Sequence, residues 1–289
     1  MIKNLSYIFY KALFYLDKFF LFFTKRSFLI WFKDFIEEDS YKIINIFDKK
    51  ILFFSPNQIC NFRVDTFLSK EPRTLEWINN FQKEESLTFW DIGANIGLYS
   101  IYNAIKNPNS TTFSFEPSTS NLRILTKNIS INNLEEKIKV VPIPLTNKEN
   151  TFQIMNESGF VEGGALNTFG EDFNFEGKKF HPKTKYNLLG TTINYFIKNK
   201  IIEVPDYIKI DVDGIEHLIL QAGNEVLNNK KVKSLNIEIN ENFEQQHKKV
   251  LSIMEEYNFR FIEKYNEIKN NKNNKNNKFS KSFNYIFLR

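Results

Sequence analysis

Cysteine is almost absent from this chain. Cys60 is the only cysteine among 289 residues, so the chain cannot form an internal disulfide or a metal cluster held by several cysteines. Such low cysteine usage is typical of a protein kept in a reducing compartment. We therefore expect a cytoplasmic protein, and association with a membrane is the one addition left open.

A long run of apolar residues is also missing. Apolar side chains recur at helical spacing in residues 1–32, but Lys11, Asp17 and Lys18 interrupt every stretch long enough to span a bilayer. No small-residue cleavage site follows, which argues against a signal peptide. The pattern predicts an amphipathic helical extension over residues 1–40.

Two partners for this extension stay open. The first is the rest of the chain or a second subunit, because an apolar stripe on a helix usually packs against protein. The second is the surface of an anionic membrane, since residues 1–32 carry more basic than acidic side chains and many aromatic ones. A non-catalytic scaffold that docks through this extension is the corresponding alternative to an enzyme.

The chain as a whole has little excess charge of one sign. The net charge is +5, and the Lys and Arg residues are spread along the sequence, so we expect no nucleic-acid partner. Apolar residues make up 42% and charged residues 25% of the chain, a balance that favours a globular α/β protein. An Asn/Lys tract within residues 266–281 predicts a flexible loop.

The chain is organised around a strand, turn and helix pattern at residues 88–100. Apolar residues lead into Asp91, a Gly-Ala-Asn-Ile-Gly turn follows, and an apolar-periodic segment comes next. Gly93 and Gly97 allow positive φ angles and a close approach of the backbone to a ligand. The pattern is typical of the start of a mononucleotide-binding unit.

The type of ligand follows from the polar residues around the turn. A dinucleotide fingerprint needs a second glycine where Asn95 stands, and the carboxylate of Asp91 would repel a phosphate. This weakens an NAD-dependent oxidoreductase as an interpretation. Glu116 ends the next predicted strand, where a carboxylate can accept hydrogen bonds from both hydroxyls of a ribose. The two acids together favour S-adenosylmethionine.

A second group of acids lies in the C-terminal half of the chain. Lys209, Asp211 and Asp213 alternate with branched apolar residues, and Glu238 does the same in a later strand. One interpretation is an ion pair between Lys209 and one aspartate. The other is a ligand site, because open α/β sheets bind ligands at the carboxyl ends of their strands. Residues 146–190 between the two halves lack periodicity, which predicts a long loop that forms a lid or an acceptor site.

Four motifs in order resemble the FkbM family of S-adenosylmethionine-dependent methyltransferases. They are Asp-Ile-Gly-Ala-Asn-Ile-Gly at 91–97, Phe-Glu-Pro-Ser at 115–118, Asn-Ile-Ser-Ile-Asn at 128–132 and Tyr-Ile-Lys-Ile-Asp-Val-Asp-Gly-Ile-Glu at 207–216. The resemblance covers about residues 60–289, although many members carry Glu where Asp213 stands. It implies a class I methyltransferase fold and, usually, cytosolic O-methylation of hydroxyls on sugars, glycans or secondary metabolites.

The fold prediction combines pattern and resemblance. We expect an α/β protein with a doubly wound, mostly parallel, seven-stranded Rossmann-like sheet whose final strand is antiparallel. A small β/helix entry segment is expected at 41–85, with short strands at 41–47, 51–54 and 59–64 that form a meander or hairpin, and the methyltransferase domain is expected at 86–289. The predicted cofactor-binding residues are Asp91, Gly93, Ala94, Asn95, Gly97 and Glu116, joined by Glu71. The resemblance places Glu71 near the methionine moiety, but an acid at a helix start can also be only a dipole partner.

Methyl transfer to a hydroxyl requires a base near the departing proton. The predicted catalytic residues are Asp211, Asp213, His217 and Glu238, and histidine has the pKa best suited to a base near neutral pH. A metal-assisted alternative would group the two aspartates and Glu238 or Asn240 around a hard cation. Acidic clusters more often form hydrogen-bonded networks, so we expect no metal, and we expect a small molecule or a glycan as the acceptor.

Overall fold

The computed structural model describes residues 1–82, 85–266 and 279–289. The centre of the predicted Asn/Lys loop lies outside these residues. The strands are β1 (Tyr41–Ile46), β2 (Lys49–Phe54), β3 (Leu87–Ile92), β4 (Ser110–Phe115), β5 (Ile138–Val141), β6 (Thr151–Glu157), β7 (Thr168–Phe169), β8 (Thr184–Gly190), β9 (Tyr207–Ile210), β10 (Ser234–Asn240), β11 (Arg260–Tyr265) and β12 (Ser282–Leu288). The helices are α1 (Ile2–Thr24), α2 (Leu29–Glu38), α3 (Gln58–Lys70), α4 (Pro72–Asn79), α5 (Leu98–Lys106), α6 (Thr119–Ile131), α7 (Ile193–Lys198), α8 (Glu216–Gln221), α9 (Asn224–Asn228) and α10 (Glu244–Glu256).

Seven strands form the central sheet, in the order β5-β4-β3-β9-β10-β12-β11. Neighbouring strands are parallel except at β12, which runs antiparallel to both β10 and β11. The predicted doubly wound sheet with an antiparallel final strand is confirmed. The strand order reverses between β3 and β9, and such a switch point opens a crevice at the carboxyl ends of the strands.

Both faces of the central sheet are covered by apolar side chains. Phe89 and Trp90 are adjacent in β3 and point to opposite faces, because successive side chains alternate along a strand. Phe89 belongs to the core beneath α3 to α6, and Trp90 to the core beneath α7 to α10. Burial on both faces is what a parallel sheet requires, and it fixes the positions of the strand ends.

The entry segment differs from its prediction in one element. β1 and β2 form the expected hairpin, but residues 59–64, predicted as a third strand, lie in the helix α3. The side chain of Asn57 accepts hydrogen bonds from the backbone N–H groups of Ile59 and Cys60, both at 2.9 Å. This N-cap starts the helix and outweighs the β propensity of the residues that follow.

The connection predicted as a long loop at 146–190 contains a small sheet. β6 pairs with β7 on one side and with β8 on the other, and both pairs are antiparallel. Side chains in β6 and β8 alternate between half-buried and exposed over much of each strand. The sheet therefore buries only part of each strand, and its hydrophobic pattern is too weak to stand out in the sequence.

The N-terminal residues form two helices, α1 and α2. Asp17 is the only buried residue of α1, and α2 has none. No helix among the described residues is both long enough and apolar enough to cross a membrane. The predicted stripe is therefore present on α1, but it is not covered by the rest of the chain.

Candidate active site

A cavity of about 600 Å³, which includes its opening to solvent, lies at the carboxyl ends of β3, β4 and β9. Residues following each of these strands contribute to its wall: Gly93, Glu116 and Asp211. Further wall residues come from the connection between β6 and β7, including Gly164 and Asn167. The cavity occupies the switch point of the sheet, where α/β proteins bind their ligands.

Two glycines shape the turn after β3. Gly93 has a φ of 88°, and a Cβ atom there would lie 1.9 Å from the carbonyl oxygen of Asp211. Gly97 has the same φ, and its Cβ would lie 2.6 Å from Cδ1 of Leu125 in α6. The N–H groups of Gly93 and Ala94 donate to the carbonyl of Phe115. Glycine is therefore required so that the turn can approach β9 and α6 this closely.

Asp91 lies at the end of β3 with its carboxylate fully buried. Ser100 Oγ donates to Oδ2 at 2.5 Å, whereas Oδ1 has no hydrogen-bond partner within the described part of the chain. Burial raises the pKa of Asp91, and the nearby Lys209 ammonium offsets part of this rise. A buried acceptor without a partner is costly, so a ligand that donates a hydrogen bond would be favoured here.

Glu116 follows β4 and is held by the backbone. Its Oε2 accepts from the N–H of Asn95 at 2.7 Å, and its Oε1 accepts from the N–H of Ser118 at 2.9 Å. Burial raises the pKa of Glu116 to about 7. The two backbone bonds fix the carboxylate at the cavity wall and leave lone pairs for ligand hydroxyls.

Lys209 is a buried cation between several acids. Its Nζ lies 2.8 Å from Oδ2 of Asp211 and 4.8 Å from the ring centre of Tyr99. Burial would lower the pKa of Lys209, but Asp211, Asp91 and Glu71 raise it above its usual value. Burial would raise the pKa of Asp211, but Lys209 holds it below its usual value. Both partners are therefore charged in the folded protein.

Glu71 lies outside the wall of the cavity. It accepts hydrogen bonds from Tyr99 Oη at 2.7 Å and Thr74 Oγ1 at 3.1 Å, and Lys70 Nζ lies 3.3 Å from its other oxygen. Tyr99 thus contacts Glu71 through its hydroxyl and the ammonium of Lys209 through its ring. A direct contact between Glu71 and a cofactor stays a prediction.

Asp213 holds the segment that covers the cavity. We call residues 163–167 the covering loop. The carbonyl of Gly164 in this loop accepts hydrogen bonds from Asn95 Nδ2 of the turn at 2.7 Å and from Asn121 Nδ2 of α6 at 3.2 Å. Asp213 Oδ2 accepts from the N–H of Leu166 at 2.6 Å. Burial raises the pKa of Asp213 to about 6. Its visible role is to position this loop.

Two contacts to the covering loop were missed in the sequence. Arg63 Nε, in α3, donates to the carbonyl of Gly163 at 2.5 Å, and Asn121 Oδ1 accepts from the N–H of Gly163 at 2.9 Å. No local signal marks Arg63, because its partner lies 100 residues away.

His217 is separated from the other predicted catalytic residues. It is buried between the rings of Phe173 and Phe243, with centroid distances of 6.4 and 5.6 Å, and it is not among the residues that line the cavity. Burial lowers the pKa of His217 to about 4. The imidazole is therefore neutral at pH 7, and a catalytic role for His217 stays a prediction.

Glu238 lies on β10 and is not among the residues that line the cavity. Burial, followed by the charges of Asp211 and Asp213, raises the pKa of Glu238 well above its usual value. The nearby Glu216 accepts from the backbone N–H groups of Val212 and Gly214. Among the residues that the structure describes, no three His, Cys, Asp or Glu side chains are arranged to hold a metal ion.

A family model described as Methyltransferase FkbM domain matches residues 91–261, which is more than half of the chain. The chain belongs to the FkbM methyltransferase family. It is thus an S-adenosylmethionine-dependent methyltransferase, as the sequence predicted. A search of curated proteins finds no match.

Solved structures with a similar fold have low sequence identity to this FkbM methyltransferase. Precorrin-6y C5,15-methyltransferase from Geobacter metallireducens shares 12% identity over 75% of this chain and 86% of that one, with a TM-score of 0.42. M. capricolum TrmK, in complex with S-adenosyl-homocysteine, shares 15% over 74% and 67%, with a TM-score of 0.39. The Methanococcus jannaschii fibrillarin pre-rRNA processing protein shares 14% over 86% and 82%, with a TM-score of 0.42.

The polar groups of the cavity fit S-adenosylmethionine. The cofactor carries an ammonium group and two ribose hydroxyls, and all of these donate hydrogen bonds. The wall carboxylate of Glu116 is an acceptor, and so is the unpartnered Oδ1 of Asp91, which is buried at the end of β3 and is not among the residues that line the cavity. Donor and acceptor chemistry therefore match, with Asp91 suited to the amino acid end and Glu116 to the ribose.

Proposed function

We propose that this FkbM methyltransferase transfers the methyl group of S-adenosylmethionine to a hydroxyl oxygen of a sugar, a glycan or a secondary metabolite. The observation that carries this proposal is the position of Asp211. Its carboxylate is ionised by Lys209, has 29% of its side chain exposed, and lines the cavity next to the turn that holds the cofactor. A hydroxyl needs a base at that place, and an ionised carboxylate is one.

The chain's own residues have separate tasks in this reaction. The bound cofactor supplies an electrophilic methyl group. Asp91 and Glu116 bind the amino acid and ribose ends of the cofactor and fix its orientation. Asp211 accepts the proton of the acceptor hydroxyl, and Lys209 keeps Asp211 ionised beforehand. Holding both reactants in place supplies much of the rate enhancement in such a transfer.

Glu238 is suited to binding the acceptor. Its raised pKa means that it keeps its proton to a higher pH than an exposed glutamate, so it can donate a hydrogen bond to an acceptor oxygen. Asp211 and Asp213 line the cavity and make this side of it acidic. Such a surface favours neutral, hydroxyl-rich acceptors and repels the phosphates of a nucleic acid.

The scaffold alternative receives less support. A protein that had lost catalysis would have no need to keep acids at the ends of three strands, yet Asp91, Glu116 and Asp211 are all present. The buried Oδ1 of Asp91 has no partner within the described chain, which costs stability unless a ligand binds. Binding of S-adenosylmethionine is therefore the first property to measure.

The test measures cofactor binding and methyl transfer separately. Isothermal titration with S-adenosylmethionine, and separately with NAD, should give heat only with the first, and Asp91→Ala and Glu116→Ala should each weaken that binding. Methyl transfer from labelled cofactor is then measured on a panel of sugars and glycans. We expect Asp211→Asn to lower kcat by roughly 10²-fold or more, with cofactor affinity changed by less than about threefold.

The control is Asp206→Asn. Asp206 has a buried carboxylate and comes immediately before β9, at the amino ends of the strands, whereas the cavity lies at their carboxyl ends. It should leave kcat and cofactor affinity close to those of the parent. No heat with either ligand would refute the enzyme assignment. Transfer to nitrogen only, or full activity of Asp211→Asn, would refute the proposed acceptor chemistry.

A further inference from the structure

The two N-terminal helices form a unit of their own. We call α1 and α2 the N-terminal hairpin. Asp17 of α1 connects them, because its carboxylate accepts hydrogen bonds from Ser27 Oγ at 2.8 Å and from the N–H groups of Phe28 at 2.7 Å and Leu29 at 3.1 Å. These bonds fix the bend between the helices, so the hairpin presents a defined surface.

That surface is apolar and faces solvent. Large side chains on both helices are more than half exposed, among them Phe9 at 64%, Phe23 at 66%, Trp31 at 60% and Ile36 at 64%. Leu5, Ile8, Phe9, Ala12, Leu16, Phe20 and Phe23 recur at the spacing of one helical face. Proteins rarely leave so many neighbouring apolar side chains in water unless the surface binds a partner.

Positive charge lies on the side of α1 that is opposite this apolar face. Lys3, Lys11 and Lys18 repeat every seven or eight residues and therefore share the opposite side of α1. The ammonium of Lys18 lies 4.8 Å from the ring centre of Phe14. The only acid of α1 is Asp17, which is used within the hairpin. The other acids of the hairpin, Asp34, Glu37 and Glu38, lie on α2, and Glu37 pairs with Arg123 in the body of the protein. The exposed charge of α1 is thus entirely basic.

We propose that the N-terminal hairpin docks on the surface of an anionic phospholipid bilayer. The apolar face of α1 enters the boundary between headgroups and acyl chains, and Lys3, Lys11 and Lys18 reach the lipid phosphates. An apolar face bordered by lysines is the pattern of a helix that lies in the plane of the interface. A second copy of the chain would cover the apolar face, but it would not require three lysines that have no acidic partner among the residues described by the structure.

Trp31 provides a direct probe of docking. The chain has three tryptophans, and Trp77 and Trp90 are buried at 8% and 0% exposure, so a change in solvent contact on docking reports on Trp31. Adding phosphatidylglycerol-rich vesicles to the full chain should shift its emission to the blue and reduce quenching by iodide. Vesicles of phosphatidylcholine alone should cause a much smaller blue shift and a much smaller reduction in iodide quenching. Trp31→Phe should remove the shift without preventing flotation of the protein with the vesicles.

Charge variants test the role of the lysines. Replacing Lys3, Lys11 and Lys18 together with Glu should weaken binding to anionic vesicles by about 100-fold or more, since each basic residue contributes to attraction at the surface. The matched control replaces the exposed Lys179, Lys183 and Lys185 with Glu, which lowers the net charge from +5 to −1 in the same way. The control should bind nearly as well as the parent protein.

Three outcomes would overturn the proposal. Unchanged Trp31 emission with anionic vesicles is the first, and equal loss of binding in both triple variants is the second. The third is a dimer by analytical ultracentrifugation without lipid in which Trp31 is already shielded from iodide, because that would assign the surface to a second copy of the chain. Circular dichroism of each variant confirms that it is folded before binding is compared.

Discussion

Replacing Lys209 with Met is expected to destabilise the protein strongly and in a pH-dependent way. The Lys209 ammonium is 1% exposed, lies 2.8 Å from the carboxylate of Asp211, and is also attracted by Asp91 and Glu71. Removing it leaves buried carboxylates without a counter-charge. The loss of one member of a buried ion pair costs about 3–5 kcal/mol in the free energy of unfolding.

The pH dependence follows from the direction of the two shifts. The folded pKa of Asp211 is lowered, so its ionisation stabilises the parent protein above its unfolded pKa, and this gain is lost as the pH falls. The folded pKa of Lys209 is raised, so its contribution is fully present at every pH below its unfolded value. In Lys209→Met, Asp211 and Asp91 take up protons more readily. The loss of unfolding free energy in Lys209→Met relative to the parent should therefore be largest near pH 8 and smaller near pH 5.

Urea unfolding of the parent and Lys209→Met at both pH values measures this deficit. The matched control is Lys248→Met, which removes a lysine that also lies 2.8 Å from an acid, Glu244, but with both side chains more than 75% exposed. That variant should cost less than about 1 kcal/mol. Lys209→Met combined with Asp211→Asn should recover part of the loss. A cost below about 1 kcal/mol for Lys209→Met, or an equal deficit at both pH values, would refute the reasoning.

Three further predictions concern the cavity and its surroundings. Glu116→Gln should weaken S-adenosylmethionine binding by roughly 10- to 100-fold in titration calorimetry at pH 8, because a glutamine amide has one hydrogen-bond acceptor oxygen where the carboxylate has two. Unchanged affinity would contradict the role given to Glu116. Burial raises the pKa of Glu216 to about 7, so its contribution to stability is present below about pH 4.5 and is lost as the pH rises through 7. Glu216→Gln should accordingly reduce the fall in unfolding free energy between pH 5 and pH 8 by about 3 kcal/mol, and an unaltered slope would count against it. Gly93→Ala should abolish cofactor binding, since its Cβ would lie 1.9 Å from a backbone oxygen, whereas Gly159→Ala, whose nearest neighbour is 3.8 Å away, should bind normally; calorimetry on both variants separates the two cases.

The sequence by itself determined the central sheet and the places of Asp91 and Glu116 at the ends of its strands. Apolar strands with turn glycines identify β3 and its neighbours, and the right-handed connection of parallel strands leaves few possible orders. Asp91 lies near the carboxyl end of β3 and Glu116 directly follows β4, and the carboxyl ends of adjacent parallel strands lie at the same side of the sheet. These properties depend on residues close together in the chain, which is why a linear pattern reveals them.

Only the tertiary structure decided which polar groups meet. Asp213 was predicted as a catalytic acid, but it binds the N–H of Leu166, 47 residues away. His217 had the appropriate intrinsic pKa, yet its aromatic surroundings lower that pKa and separate it from the cavity. The apolar stripe of α1 was visible in the sequence, but its exposure was not. Burial and hydrogen-bond partners depend on residues distant in the chain, and no local pattern specifies them.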